Sequence, residues 1–212
     1  MRRVKIGFFG ILFLAVVGLG LWAWWNFDLR WRPHNITRHQ PEIGKILETS
    51  GWVSPKLAGP KLYMLSYRSC ADCIRFEKEE FPKLQAAGVD TRVIMIARAD
   101  LNGAAKSTAP ERATVAELWA NRDWKLYQRW MAANPPEAWT AAGVAPADGD
   151  ATRTAVVELG RTLVTNLKPL LKDNGVKSAY PTLIWWTKGG AMHACTCENP
   201  GSYANVEKEL GV

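Results

Sequence analysis

Residues 61–97 constrain the fold more tightly than any other part of the chain. Lys61-Leu62-Tyr63-Met64-Leu65-Ser66-Tyr67 is a short apolar run bounded by Pro60 and polar residues, the pattern of a buried strand. Residues 73–87 set Ile74, Phe76, Phe81, Leu84 and Ala87 on a charged background, which predicts an amphipathic helix ended by Gly88 and kinked at Pro82. Residues 91–97 are rich in β-branched side chains and predict a second strand. Strand, helix and strand in this order make a βαβ unit with a right-handed crossover. Cys70-Ala71-Asp72-Cys73 falls where the first strand gives way to the helix.

That address decides what the two cysteines can do. A thiol at a helix N-terminus faces free backbone N–H groups and the positive end of the helix dipole, and both favour thiolate over thiol. Thiolate is the form that attacks a disulfide. Two intervening residues set Cys73 one turn along, within reach of a mixed disulfide formed at Cys70. The pattern therefore predicts Cys70 as nucleophile and Cys73 as resolving thiol. Asp72 opposes this if its carboxylate faces the sulfur, because a nearby negative charge disfavours thiolate. A lone CxxC is a weak signal shared with half of a zinc site; inside a βαβ pattern it reads as a redox pair.

The remainder completes an α/β domain. Residues 98–174 read as helical, with Val115, Leu118 and Trp119 in one segment, Trp124, Tyr127, Trp130 and Met131 in the next, and Val156, Leu159, Leu163, Leu167 and Leu170 along a third. Residues 181–186 and 191–196 flank Lys188-Gly189-Gly190 and predict a hairpin. A short helix over 202–210 closes the chain.

With Cys70-Ala71-Asp72-Cys73, Phe81-Pro82-Lys83-Leu84, Gly88-Val89-Asp90-Thr91-Arg92-Val93, Glu117-Leu118-Trp119 and Tyr180-Pro181-Thr182 in view, residues 61–212 resemble the thioredoxin superfamily. Within it they resemble the catalytic domain of the DsbC/DsbG-like disulfide isomerases. The resemblance implies a thioredoxin-like fold with a helical insertion at about 98–174 and thiol:disulfide oxidoreductase or isomerase activity at Cys70 and Cys73. It also implies a cis-proline at Pro181 that, with Tyr180, binds substrate backbone by strand addition. Three departures stand out. The isomerases' N-terminal dimerisation domain is absent from residues 1–60, Tyr180 stands where those proteins usually carry Thr, and Met64 occupies the place of thioredoxin's buried Asp, which leaves no obvious proton shuttle.

Ahead of this domain, residues 6–25 form an uncharged apolar run ending in Trp22, Trp24 and Trp25. The run is long enough to span a bilayer as one helix, with the tryptophans as an aromatic belt. Bulky residues at its end favour an uncleaved anchor over a signal peptide. We therefore expect residues 1–27 to be a transmembrane anchor, 28–60 a proline-punctuated linker with a short helix near 42–48, and 61–212 the folded domain. Cysteine pairs fit an oxidising compartment, so the expected location is the bacterial inner membrane, single-pass, with the C-terminal domain in the periplasm. The net charge of +7 reflects membrane flanks plus a mixed surface without a basic, aromatic-interleaved stripe, so no nucleic-acid partner is expected. The expected partners are the membrane, cysteine-containing protein substrates and a membrane or periplasmic redox partner.

A second pair, Cys195 and Cys197, lies on the predicted return strand, facing one side near the edge that holds the CxxC. Three readings remain open. The pair is a buried structural feature or disulfide, or a relay exchanging electrons with Cys70/Cys73, or, with His193 and Met192, a soft-metal site for copper or zinc. The redox motif itself requires no cofactor. A copper-handling protein and a non-catalytic thioredoxin-like module of a membrane complex are the alternative functions.

Overall fold

The computed structural model describes residues 2–27 and 29–212, with side chains for 14–26 and 29–212. The chain divides into two compact units, Met1–Arg32 and Pro33–Val212. The first is helix α1 (Arg2–Phe27) followed by a 3-10 turn, Leu29–Trp31. In that turn the Trp31 indole donates to the Asn26 carbonyl at 2.9 Å and Arg30 donates to the Asn26 side chain at 2.8 Å. The apolar run 6–25 falls within α1, but the side chains of 6–13 lie outside the described residues. Among the described residues no helix is long and apolar enough to cross a membrane.

The second unit is built on a five-stranded sheet of order β1-β5-β4-β2-β3. Its strands are β1 (His34–Ile36), β2 (Lys61–Ser66), β3 (Asp90–Met95), β4 (Thr182–Trp186) and β5 (Met192–Thr196). β2 and β3 are parallel and joined by helix α3 (Ala71–Ala86), as the βαβ pattern requires. β4 pairs antiparallel with β2 and with β5, which makes the predicted hairpin. The other helices are α2 (Gln40–Thr49), α4 (Ala109–Asn121), α5 (Trp124–Ala132), α6 (Ala151–Lys172) and α7 (Tyr203–Leu210). A βαβ half and a ββα half sharing one sheet fit a thioredoxin-like fold.

Residues alternate across a strand, and here both faces are buried. Leu62 and Met64 of β2 pack with Phe76 and Leu84 of α3, Tyr203 of α7 and Leu118 of α4. Tyr63 and Leu65 pack on the opposite face with Ile43 and Leu47 of α2 and Leu163 and Leu167 of α6. Two-sided burial explains why β2 reads as a continuous apolar run.

The expected linker, 28–60, is the main correction. From Pro33 on, it belongs to the second unit. β1 pairs antiparallel with β5 at one sheet edge, α2 covers a face, and Val53 exchanges backbone hydrogen bonds with Val93 of β3 at 2.8 and 2.9 Å. Its prolines do not prevent this: Pro41 lies in the first turn of α2, where a missing N–H costs nothing. Ile36, Ile43, Leu47 and Val53 are few, yet all are at most 1% exposed.

In the helical insertion, Thr108 and Glu111 form a reciprocal capping box at the start of α4, and Asp123 and Asp150 cap α5 and α6. The buried stripe of α6 runs through Val157, Gly160, Leu163, Val164, Leu167 and Leu171, rotated from the expected one; Leu159 is 57% exposed. Trp119 explains the rotation. Its indole donates to the Met95 carbonyl at 2.8 Å, and its ring lies so close to Gly160 that an added Cβ would meet it at 3.3 Å.

The same tryptophan presses on Gly51, where a Cβ would lie 2.3 Å from the Trp119 ring and 2.6 Å from its Cα. Backbone cannot yield as a flexible side chain does, so Gly51→Ala is expected to destabilise the fold by about 1–3 kcal/mol. Urea unfolding measures this, and an unchanged midpoint would contradict the packing described.

Candidate active site

The turn from β2 into α3 carries the CxxC. Cys70 is the N-cap of α3: its backbone is extended, and its sulfur accepts a hydrogen bond from the Cys73 N–H at 3.1 Å. Cys70 and Cys73 are joined in a disulfide, and both are buried, at 3% and 0% exposure. The sulfur that sequence spacing assigns as nucleophile thus sits where the backbone N–H groups of the first turn converge. α3 runs on through Pro82.

Asp72 does not stand as an unopposed charge beside the sulfur. Its carboxylate accepts from Arg75 at 2.6 Å, and the same guanidinium donates to the Glu198 carbonyl at 2.5 Å and to the Tyr203 hydroxyl at 3.4 Å. Arg75 therefore neutralises Asp72 and ties the first turn of α3 to the chain just beyond β5. The expected drag of Asp72 on the thiolate is reduced accordingly.

Just before β4, the Tyr180–Pro181 bond is cis, and Asn134–Pro135 is the other cis bond among the described residues. The Thr182 hydroxyl donates to the Ala179 carbonyl at 2.6 Å, which holds this loop against β4. The Pro181 carbonyl accepts from the Cys197 N–H at 3.2 Å. Tyr180 is half-buried and packs edge-to-face on Tyr67 with ring centroids 5.2 Å apart; burial pushes its hydroxyl pKa up to about 12.

Cys195 and Cys197 are also joined in a disulfide and are buried in the core on the α3–α7 face of the sheet. The Cys197 bond to Pro181 and the Arg75 bond to Glu198 bring the end of β5 to the same edge as the CxxC. His193 is engaged elsewhere: its Nδ1 lies 2.5 Å from the Glu209 carboxylate of α7. Met192 is buried on the opposite face, in the α2–α6 layer. Among the described residues no group of three or more His, Cys, Asp or Glu side chains is placed to hold a metal ion.

Residue types alone did not single out Glu77. It lies one helical turn after Cys73, on the stripe that also carries Phe76, Glu80 and Leu84. Its Oε1 is covered from solvent without a hydrogen-bond partner, as are Arg68 Nε and the Tyr127 hydroxyl. Burial pushes the Glu77 carboxyl up to about 7, while the Tyr127 hydroxyl and the Arg68 guanidinium pull it down. Arg68 is anchored by donating to the Ala133 carbonyl at 2.7 Å, and Tyr127 is fully buried, its own pKa driven up mainly by desolvation. The available signal was positional: Glu77 and Glu80 interrupt an otherwise apolar stripe at i+4 and i+7 from Cys73.

No known protein family matches this chain by sequence, and no curated protein does. Among solved structures it is similar to BcfH from Salmonella enterica Typhimurium, with 13% sequence identity, a TM-score of 0.44, and coverage of 99% of this chain and 93% of that one. At that score the likeness adds nothing to the topology. The topology fits a thioredoxin-like fold, and the disulfide-forming CxxC is compatible with thiol–disulfide exchange.

Two outcomes follow from this geometry. Arg75→Ala frees the Asp72 carboxylate and removes a cation, so the Cys70 thiol should titrate about one unit higher; thiolate absorbance reads this, and an unchanged or lower value would contradict the neutralising role. For Glu77, the unfolded chain releases the proton near the ordinary 4.5 while the folded chain keeps it to about 7. The folded state thus binds the extra proton in that window, and stability falls as pH rises through it. Relative to Glu77→Gln, the wild type should lose up to about 3 kcal/mol between pH 4.5 and 8. Urea midpoints at the two pH values test this, and a pH-independent gap would contradict it.

Proposed function

We propose that this protein is a thiol–disulfide oxidoreductase, a reductase or isomerase in the manner of the DsbC/DsbG-like proteins, acting on disulfides of other proteins through Cys70. The observation that carries this reading is the Cys70–Cys73 disulfide at the N-cap of α3, with the Cys73 N–H on the Cys70 sulfur. In the reduced protein the Cys70 thiolate attacks one sulfur of a substrate disulfide. A mixed disulfide forms and the other substrate sulfur leaves as thiolate. Cys73 then attacks the Cys70 sulfur, releasing the second substrate thiolate and restoring the disulfide, so two electrons pass to the substrate.

Cys73 must lose its proton in that second step while buried. Glu77, one turn away and poised near neutrality, is suited to accept it as general base. The cis Tyr180–Pro181 segment supports backbone pairing with the substrate next to Cys70. The uncharged run 6–25 supports tethering to a bacterial inner membrane, with residues 33–212 on the periplasmic side. There an oxidising environment suits two disulfides. Its partners in this reading are cysteine-containing substrates and a membrane or periplasmic partner that resets the redox state of Cys70 and Cys73.

The test is trapping. Cys73→Ser removes the resolving thiol, so a mixed disulfide between Cys70 and the substrate should accumulate as an adduct under non-reducing conditions, and Cys70→Ser should abolish both the adduct and insulin reduction. Turnover that survives Cys70→Ser, or an adduct at Cys195 or Cys197, would overturn the assignment.

A further inference from the structure

One cleft of the second unit carries a concentration of positive charge that neither the CxxC chemistry nor the fold requires. A cleft of about 370 Å³ is bounded by the chain after β3, by α6 and by Tyr180. Arg98, Lys106, Arg161 and Lys168 line it, against a single acid, Asp100. Arg161 is structural: it pairs with Glu158 and donates to the Ala97 and Arg98 carbonyls at 3.0 and 3.2 Å. The other three cations have no carboxylate within ion-pair distance among the described residues.

Two of these cations are positioned by aromatic faces, which hold a cation without cancelling its charge. The Arg98 guanidinium lies 4.1 Å from the Tyr67 ring centroid and the Lys168 ammonium 5.9 Å from that of Tyr180. Because Tyr67 and Tyr180 pack against each other, the pair holds both cations at one cleft. Arg98 also donates to the Ser69 hydroxyl at 3.0 Å, beside Cys70 in sequence. Arg98 and Lys106 further line a second, wider cleft of about 850 Å³ that starts at Arg68 and Ser69. Leu101, 60% exposed, adds an apolar side chain to the rim of the first cleft.

We propose that this cleft docks an acidic segment of the polypeptide whose disulfide Cys70 attacks. Substrate carboxylates lie against Arg98, Lys106 and Lys168, and an apolar substrate side chain rests on Leu101. The inference rests on the oxidoreductase reading and adds a substrate class to it. A concave cleft lined by Tyr180, and sharing Arg98 and Lys106 with the cleft that holds Ser69, suits an extended peptide better than the flat surface of an anionic bilayer. Charges arranged this way steer association and select partners more than they add affinity.

The experiment compares two peptides of equal length and identical disulfide, one flanked by Asp and Glu and one by Lys, as substrates of the reduced protein at low salt. We expect kcat/KM about 10-fold higher for the acidic peptide, with the ratio shrinking as ionic strength rises. In Lys106→Glu/Lys168→Glu the ratio should fall to one or below. Lys168→Gln, a single exposed position, is a milder variant expected to lower the ratio part of the way. Equal rates for the two peptides, or an undiminished ratio in both variants, would overturn the proposal. So would a charge-reversed protein that loses binding to anionic lipid vesicles while keeping its peptide preference. A neutral small disulfide, hydroxyethyl disulfide, separates the two levels: if the wild type reduces it without preferring acidic peptides, only the docking inference fails, and if it reduces none of the three, the oxidoreductase reading itself fails.

Discussion

Burial of β2 on both faces sets the geometry on which the site depends. Leu62 and Met64 look into one layer while Tyr63 and Leu65 look into the other, so the strand cannot slip by one residue without exchanging its two faces. The parallel pairing with β3 then requires a crossover, and α3 supplies it. The point where β2 ends and α3 begins is fixed between these demands. Cys70 occupies that point, and its sulfur completes the helix N-terminus by accepting the Cys73 N–H. A structural role and a chemical one thus fall on the same atom, because a group that caps a helix is also held where negative charge is favoured.

Around the sulfur, polar groups are arranged in two distinct ways. On the outside, Arg75 gathers Asp72, Glu198 and Tyr203 into one set of bonds, which offsets the nearest carboxylate and joins α3 to the end of β5. On the inside, Glu77, Arg68 and Tyr127 are held with buried atoms that lack hydrogen-bond partners. Such an arrangement is costly, and a wholly apolar stripe on α3 would serve packing at least as well. In the oxidoreductase reading, its position one helical turn from Cys73 gives that cost a chemical rationale: burial raises the carboxyl's pKa, which suits it to take the proton of a buried thiol.

The parts of the fold legible from sequence were those where a single local pattern suffices. The apolar run of β2, the amphipathic spacing of α3 and the Gly-Gly hairpin each reflect one face meeting one layer. Of residues 33–60 only the short helix near 42–48 was legible, because the four buried apolar side chains are spread over a strand, a helix and an isolated bridge to β3, and the prolines between them resemble a linker. The stripe of α6 was misplaced because Gly160 faces inward: the bulk that fills the space there is the Trp119 ring of α4, not a side chain of α6 itself. Within the site, spacing pointed to Cys70 and Cys73, which form a disulfide, and the resemblance pointed to Pro181, whose bond to Tyr180 is cis. The neutralising of Asp72 was not readable, since Glu198 and Tyr203 reach Arg75 only through the fold. Residue types likewise left the second cysteine pair open, and the disulfide places those sulfurs in the core with His193 turned to Glu209.

In the oxidoreductase reading, the α3 N-terminus makes Cys70 the reactive thiol. Titrating the two thiols of the reduced protein separately, by the pH dependence of alkylation at Cys70 and Cys73, tests it most directly. Cys70 should titrate below the value of about 8.5 for a free cysteine and Cys73 above it. A Cys70 that titrates at or above that value, or a Cys73 that is the more acidic of the two, would contradict it.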